Sequence, residues 1–286
     1  MPPNRASHEQ NRRSWNQATR VHNSHKSGQG RFLRDGGSTL FPEELALLGD
    51  LTDLELLHLQ CNSGQDTLSL VARGAIATGV DISDEAISAA RAMAGIARLY
   101  TEFVREDVYT FLEDARRAGR RWDAVFCSYG VTPWLSDIQT WARLVADVLR
   151  PEGRLVLVEF HPIAAMMDET GTRVVAPNGC DGHPVHYPEG VSDYVAASRA
   201  ALVPWGYEPG LSSNLITEEC HEFPWSLGQV IDAVLSSGLR LERLEEYPFS
   251  NGCRLLPCLV PLSGRRWGLP PEIPRYPLMY SLLARR

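Results

Sequence analysis

Over its first 160 residues the chain alternates short apolar runs with segments whose apolar residues recur at helical spacing. Leu54, Leu56, Leu57 and Leu59 make a run suited to a buried strand. A polar stretch from Gln60 to Asp66 follows. Leu68, Leu70, Val71 and Ala72 then recur as on one helix face, Gly74 stops the helix, and Ile76 to Val80 starts a second apolar run. Continued, the pattern predicts strands at 54–60, 76–81, 100–104, 122–127 and 153–159, and helices at 65–73, 84–94, 109–118 and 136–149. Strands alternating with helices predict an α/β fold built on a parallel, doubly wound sheet.

The alternation stops after Glu159. From 161 to 225 prolines and glycines recur with no sustained period. A structureless connection of that length is uncommon unless it serves function. It leaves the carboxyl end of a core strand, where open α/β sheets bind ligands, so it reads as a lid insertion after strand 5 that covers a substrate. A helix at 226–236 and a strand at 239–247 return to the core, and a last strand at 276–284 follows a Pro-rich segment at 257–274. At the other end, residues 1–12 are polar and predict a disordered tail. Trp15, Ala18 and Val21 open a helical segment within 13–50, and Pro42 with Glu43 and Glu44 starts a helix ending near Gly49. Residues 51–286 form the core, with the insertion inside it.

Composition narrows the partners. The chain has 286 residues, 44% of them hydrophobic, and a net charge of −7. No basic face of the kind nucleic acid requires stands out. The cluster Arg116, Arg117, Arg120 and Arg121 sits at a predicted helix end, where cations suit the macrodipole. Six cysteines form no C-x-x-C pair, and no apolar run approaches 18 residues. A cytoplasmic protein with reduced thiols, no membrane partner and a small-molecule substrate is expected. Monomer and homodimer both remain open.

The loop between the first strand and helix carries the chemistry. Gly64 would admit a ligand close to the backbone. Asp81 ends the second strand, where a carboxylate can accept both hydroxyls of a ribose, with Ile82 beside it. A dinucleotide site would want G-x-G-x-x-G, and only Gly64 is present; no P-loop pattern occurs. Gln60 and Asn62 suit a polar or zwitterionic ligand better than a diphosphate. S-adenosylmethionine fits, with its ribose on Asp81 and its amino-acid tail in the loop. Asp107, after the third strand, would take the adenine amino group, with Val108 against the ring.

The segments LHLQCNSGQDTLSL, GVDISDEAISAAR, EDVY at 106–109, VFCSYGVTPWLSDIQTWA, LRPEGRLVLVEFHP and EEYPF at 245–249 extend the argument over nearly the whole chain. Through them it resembles a bacterial group of class I S-adenosylmethionine-dependent methyltransferases acting on small molecules. Where that group typically carries a His and an aromatic in the first loop, this chain has Asn62 and Ser63. The resemblance implies a Rossmann-like seven-stranded sheet whose last strand runs antiparallel beside the previous one. It also implies an N-terminal segment, with Trp15 and His25, folded over the cofactor.

Methyl transfer needs the nucleophile held in line, helped by a base when it carries a proton. Ser128, expected to touch the cofactor, and Tyr129, a catalytic candidate, stand where the fourth strand stops, and Tyr129 with Trp134 could wall the sulfonium. His161, after the fifth strand, is the first base candidate; its alternative is a structural His bonded to backbone. His221 and Glu222 are second candidates. Cys180, Asp181, His183 and His186 match no zinc spacing, so no metal is expected. The expected reaction moves a methyl group to an O, N or S nucleophile of a metabolite. The alternative is an S-adenosylmethionine-binding regulatory or scaffold protein without turnover.

Overall fold

The computed structural model describes residues 4–179 and 182–286. The N-terminal helices are α1 (Arg5–Ser24), α2 (Gln29–Arg34) and α3 (Pro42–Leu48). β1 (Glu55–Leu59), α4 (Gln65–Val71), β2 (Ile76–Asp81), α5 (Asp84–Ala97), β3 (Glu102–Arg105), α6 (Val108–Arg117), β4 (Trp122–Ser128), α7 (Ile138–Val148) and β5 (Leu149–Phe160) then alternate as the pattern predicts. The sheet has seven strands, ordered β3, β2, β1, β4, β5, then Met279–Arg285, then Arg240–Tyr247. β1 is parallel to β2 and β4, β2 to β3, and β4 to β5. Met279–Arg285 is antiparallel to both its neighbours, pairing Met279 with Phe160 on one side and with Tyr247 on the other.

Residue periodicity explains why both faces are covered. Leu57 and Leu59 pack with α6 and α7 on one face; Leu56 packs with α3 and α4 on the other. A strand buried on both sides reads as a continuous apolar run, which is why β1 was legible. Chain order reverses on either side of β1, so a crevice opens at the carboxyl ends of β1 and β4. Polar caps fix the helices that border it: Ser83 accepts from Ala86 N at the start of α5, and Asp107 from Tyr109 N at the start of α6.

Three features depart from the sequence reading. The polar tail expected over 1–12 is helix from Arg5 onward. Its polar residues are buried against the insertion: Asn11 exchanges two hydrogen bonds with the His221 backbone (2.7 and 2.8 Å), and the Ser14 hydroxyl donates to Glu218 O (2.7 Å). The opposite side of α1 rests on the core, where Asn16 Oδ1 accepts from Ser83 Oγ (2.8 Å) and Asn23 donates to Ser63 Oγ (2.9 Å). The insertion itself is not structureless. It carries α8 (Pro162–Met166), α9 (Tyr194–Ser198) and an antiparallel ribbon of Val185–Tyr187 with Cys220–Glu222, after which α10 (Leu227–Ser236) rejoins the core. Thirdly, the segment around 257–274 contributes to a three-stranded sheet of Phe249–Asn251, Arg266–Gly268 and Val260–Leu262.

Candidate active site

α1 and the insertion roof the crevice and enclose a cavity of about 850 Å³. Trp15, Gln60, Asn62, Asp81, Ile82, Asp107, Val108, Ser128, Tyr129 and His161 all line it.

The end expected to take the nucleoside is built from carboxylates that also cap backbone. Asp81 Oδ2 accepts from Asn62 N and Oδ1 from Ser83 N, each at 2.8 Å. Burial pushes its carboxyl up to about 6, against the pull of those N–H donors. Each oxygen keeps a lone pair for a ribose hydroxyl. Asp107 Oδ1 accepts from Tyr109 N (2.9 Å), while Oδ2 lies 2.7 Å from His8 Nδ1. His8 Nε2 reaches Ser136 Oγ at 2.8 Å, and the ring stacks on Tyr109 at 5.5 Å. The first turns of α1, expected to be a tail, thus hold the residue assigned to the adenine. Trp15 lies edge-on to Trp134 with centroids 5.1 Å apart.

The first loop holds its shape through left-handed residues, with φ of 53° at Gln60, 48° at Asn62 and 78° at Gly64. Gly64 has a different reason from the one expected. A Cβ there would stand 2.6 Å from Phe103 Cζ and 2.9 Å from Ala90 Cβ, so the glycine makes room for core side chains. Its neighbours face the cavity instead. Gln60 donates to Val131 O (3.2 Å), and among the described residues its buried Oε1 and the buried Gln65 Nε2 have no hydrogen-bond partner. Both amides are unspent polar groups of the kind a ligand satisfies.

The loop after β4 hangs on Glu159, which the sequence reading missed. This buried carboxylate accepts from the N–H groups of Val131 (2.7 Å), Thr132 (2.9 Å) and Phe160 (2.7 Å), and from Gly130 N. Burial raises its pKa, with those donors opposing. An acidic residue inside an apolar strand was the available signal.

The three residues expected to do chemistry are corrected. Tyr129 turns its ring between Phe41 and Phe160, and its hydroxyl accepts from Asn251 Nδ2 at 2.9 Å. Burial holds that phenol far above neutrality, so it is no base. In His161, Nδ1 accepts from Ile163 N (3.2 Å) and Nε2 lies 2.8 Å from Glu246 Oε1. With one nitrogen spent as acceptor and the other aimed at a carboxylate, no lone pair remains for a substrate proton; its role is to cap α8. His221 is outside the cavity, stacked on His186 with centroids 5.1 Å apart. Its neighbour Glu222 does line the cavity, with no side-chain hydrogen-bond partner among the described residues, and burial alone pushes its carboxyl up to about 7. In the cluster considered for metal, Cys180 and Asp181 lie outside the described residues, and His186 Nε2 is 2.8 Å from Glu219.

Comparison with known proteins adds the class. Residues 57–155 match a methyltransferase domain. The chain is similar to an S-adenosylmethionine-dependent methyltransferase from Mesorhizobium loti at 18% identity and a TM-score of 0.54, over 88% of this chain and 100% of that one. It is also similar to one from Clostridium acetobutylicum at 12% identity and a TM-score of 0.51, over 85% and 87%. At these identities the structures speak for the fold. No curated protein matches the chain. The domain match covers the first five strands of the sheet, and the sheet order is that of the methyltransferase structures to which the chain is similar. The buried, unspent amides and the Asp81 carboxylate fit S-adenosylmethionine. Among the described residues, no helix is long and apolar enough to cross a membrane.

Proposed function

We propose that the chain methylates a largely apolar small molecule at an O, N or S nucleophile, with Glu222 as proton acceptor. The observation that carries this reading is the cavity beyond the cofactor crevice. It continues under the insertion along Ala164, Met166, Leu202, Val203 and Leu255. At about 850 Å³ it lies in the upper part of the roughly 300–1,000 Å³ range of small-molecule sites. That supports a cofactor and a metabolite side by side, and it speaks against a protein or nucleic-acid strand as acceptor.

When bound, S-adenosylmethionine supplies a methyl carbon activated by a positive sulfur. The chain's part is positioning and proton removal. Asp81 and Asp107 fix the nucleoside, and Glu159 holds the 129–132 backbone beside the acceptor. Phe223 N donates to Pro133 O at 2.6 Å, which ties Glu222 to the loop after β4. A carboxylate near pH 7 is matched to taking a proton from a hydroxyl or ammonium.

The test is transfer of labelled methyl from S-adenosylmethionine to a bacterial metabolite extract, fractionated by size. The reading expects label in the small-molecule fraction, reduced at least about tenfold by Glu222→Gln. Label confined to protein or nucleic acid would overturn it. Cofactor binding with no transfer would leave the regulatory alternative standing.

A further inference from the structure

The cavity changes character along its length. Towards the sheet it is lined by carboxylates, Asp81, Asp107 and Glu159 among them. Under the insertion three segments give it an apolar wall: Ala164 and Met166 come from α8, Leu202 from the turn after α9, and Leu255 from the loop after Phe249–Asn251. One fixed charge stands on these segments, that of Arg254. The other Lys or Arg among the described lining residues, Lys26, is supported by the charge of Asp66 in the first turn of α4.

Arg254 is held in place. Its backbone N donates to Ser198 Oγ at the end of α9 (2.9 Å). Its guanidinium lies over the Trp267 ring, 5.2 Å from the centroid, and Trp267 Nε1 donates back to Gly252 O (3.0 Å). Nη2 donates to Pro257 O. These contacts orient the group without neutralising it. Seven carboxylates line the same cavity, yet among the described residues none pairs with Arg254, and its buried Nε–H has no acceptor. A cation on an apolar wall is costly until an anion compensates it. The planar fork of a guanidinium matches a carboxylate, which takes two parallel N–H donors. One positive charge balances one carboxylate. A phosphate monoester would bring about −1.5 to −2 into a cavity whose other charges are mostly negative.

We propose that Arg254 holds a free carboxylate of the methyl acceptor, separate from the atom that is methylated. This rests on the small-molecule reading above and narrows it: the acceptor is an apolar metabolite with one carboxylate, which the product keeps. The same molecule with that carboxylate esterified leaves the guanidinium uncompensated and is a poor acceptor.

The full chain is given S-adenosylmethionine with an isotope-labelled methyl group and a dilution series of bacterial metabolite extract, and products are read by mass spectrometry. Labelled products are expected to lose carbon dioxide on fragmentation and to gain an ester in acidic methanol. Arg254→Met should raise the half-saturating extract concentration about tenfold or more, with the plateau rate kept within about threefold. Arg254→Lys keeps the charge without the fork and should raise it less. Affinity for S-adenosylhomocysteine, measured by calorimetry, should stay within about twofold in both variants, which checks the fold and the cofactor crevice separately. Extract esterified beforehand should lose about tenfold or more of its acceptor activity with the wild type, an arm that needs no variant. Labelled small molecules without a free carboxylate, phosphate esters included, overturn the proposal and leave the small-molecule reading standing. So does undiminished transfer to esterified extract, a half-saturating concentration unmoved by Arg254→Met, or a fall in plateau rate alone. Label confined to macromolecules, or no label, overturns that reading and this proposal with it.

Discussion

Gly64→Ala separates two reasons for a glycine in the first loop. The backbone there has φ of +78°, a left-handed conformation. A side chain in that region costs roughly 1–2 kcal/mol. The added methyl would also stand 2.6 and 2.8 Å from Phe103 Cζ and Cε1, and 2.9 Å from Ala90 Cβ. Carbon contacts normally settle at about 3.5–4.0 Å, so the ring would have to retreat by close to 1 Å. It cannot do so freely: Phe103 is 4% exposed, and a Cβ on Gly79 would meet the same ring at 2.7 Å. Overpacking of this kind costs about 1–3 kcal/mol. Together the effects come to roughly 2–5 kcal/mol, or a fall in Tm of about 5–20 °C for a chain of this size. Thermal and urea unfolding measure it. Phe103→Leu in the Gly64→Ala background is expected to recover part of the loss, because the two positions share one contact. Below the melting transition, S-adenosylhomocysteine affinity should stay within about threefold, since the methyl faces the core. An unchanged Tm with a tenfold or greater loss of affinity would refute the packing argument and return the glycine to the ligand.

Glu159→Gln is expected to destabilise by about 2–4 kcal/mol, because one amide –NH₂ would face backbone donors that now share a carboxylate; urea unfolding at pH 7 checks it. Ser83→Ala removes the cap of α5 and the bond to Asn16, and should cost about 1–2 kcal/mol by the same measurement. Glu222 has a pH signature. Its pKa is raised from 4.5 to about 7 in the folded chain, so the native state holds that proton more tightly than the unfolded state. Its contribution to stability is present below about pH 4.5 and is lost as pH rises towards 7. The melting temperature of Glu222→Gln minus that of the wild type should therefore rise between pH 5 and pH 8, and a flat difference would contradict the burial of Glu222.

What the sequence disclosed, and what it hid, follows from which interactions are local. β1 and β2 were readable because their residues are buried on both faces, and α4 to α7 because their apolar residues repeat along one face. The start of α1 was unreadable because it is buried through polar contacts. Gln10, Asn11 and Ser14 are bonded to an insertion some two hundred residues away and His8 to Asp107 and Ser136, and nothing apolar recurs among them. Asp81 and Asp107 could be placed because strand ends in an alternating fold point to one edge. Glu222 could not be ranked from sequence: it acquires its character from a cavity wall assembled by distant segments. His161 shows the converse. Its place after β5 suggested a base, while the carboxylate that its second nitrogen faces, Glu246, arrives from another strand.

The central claim is that Asp81 anchors the ribose of S-adenosylmethionine at the carboxyl end of β2. Calorimetric titration with S-adenosylmethionine and S-adenosylhomocysteine tests it most directly, on the wild type and on Asp81→Asn, with NADH as control. Hydrogen bonds to a charged carboxylate contribute about 1.5–3 kcal/mol, so saturable binding of both sulfur compounds should weaken about tenfold or more in the variant, with no binding of NADH. Absence of binding by the wild type, or affinity untouched by Asp81→Asn in a folded protein, would contradict the account.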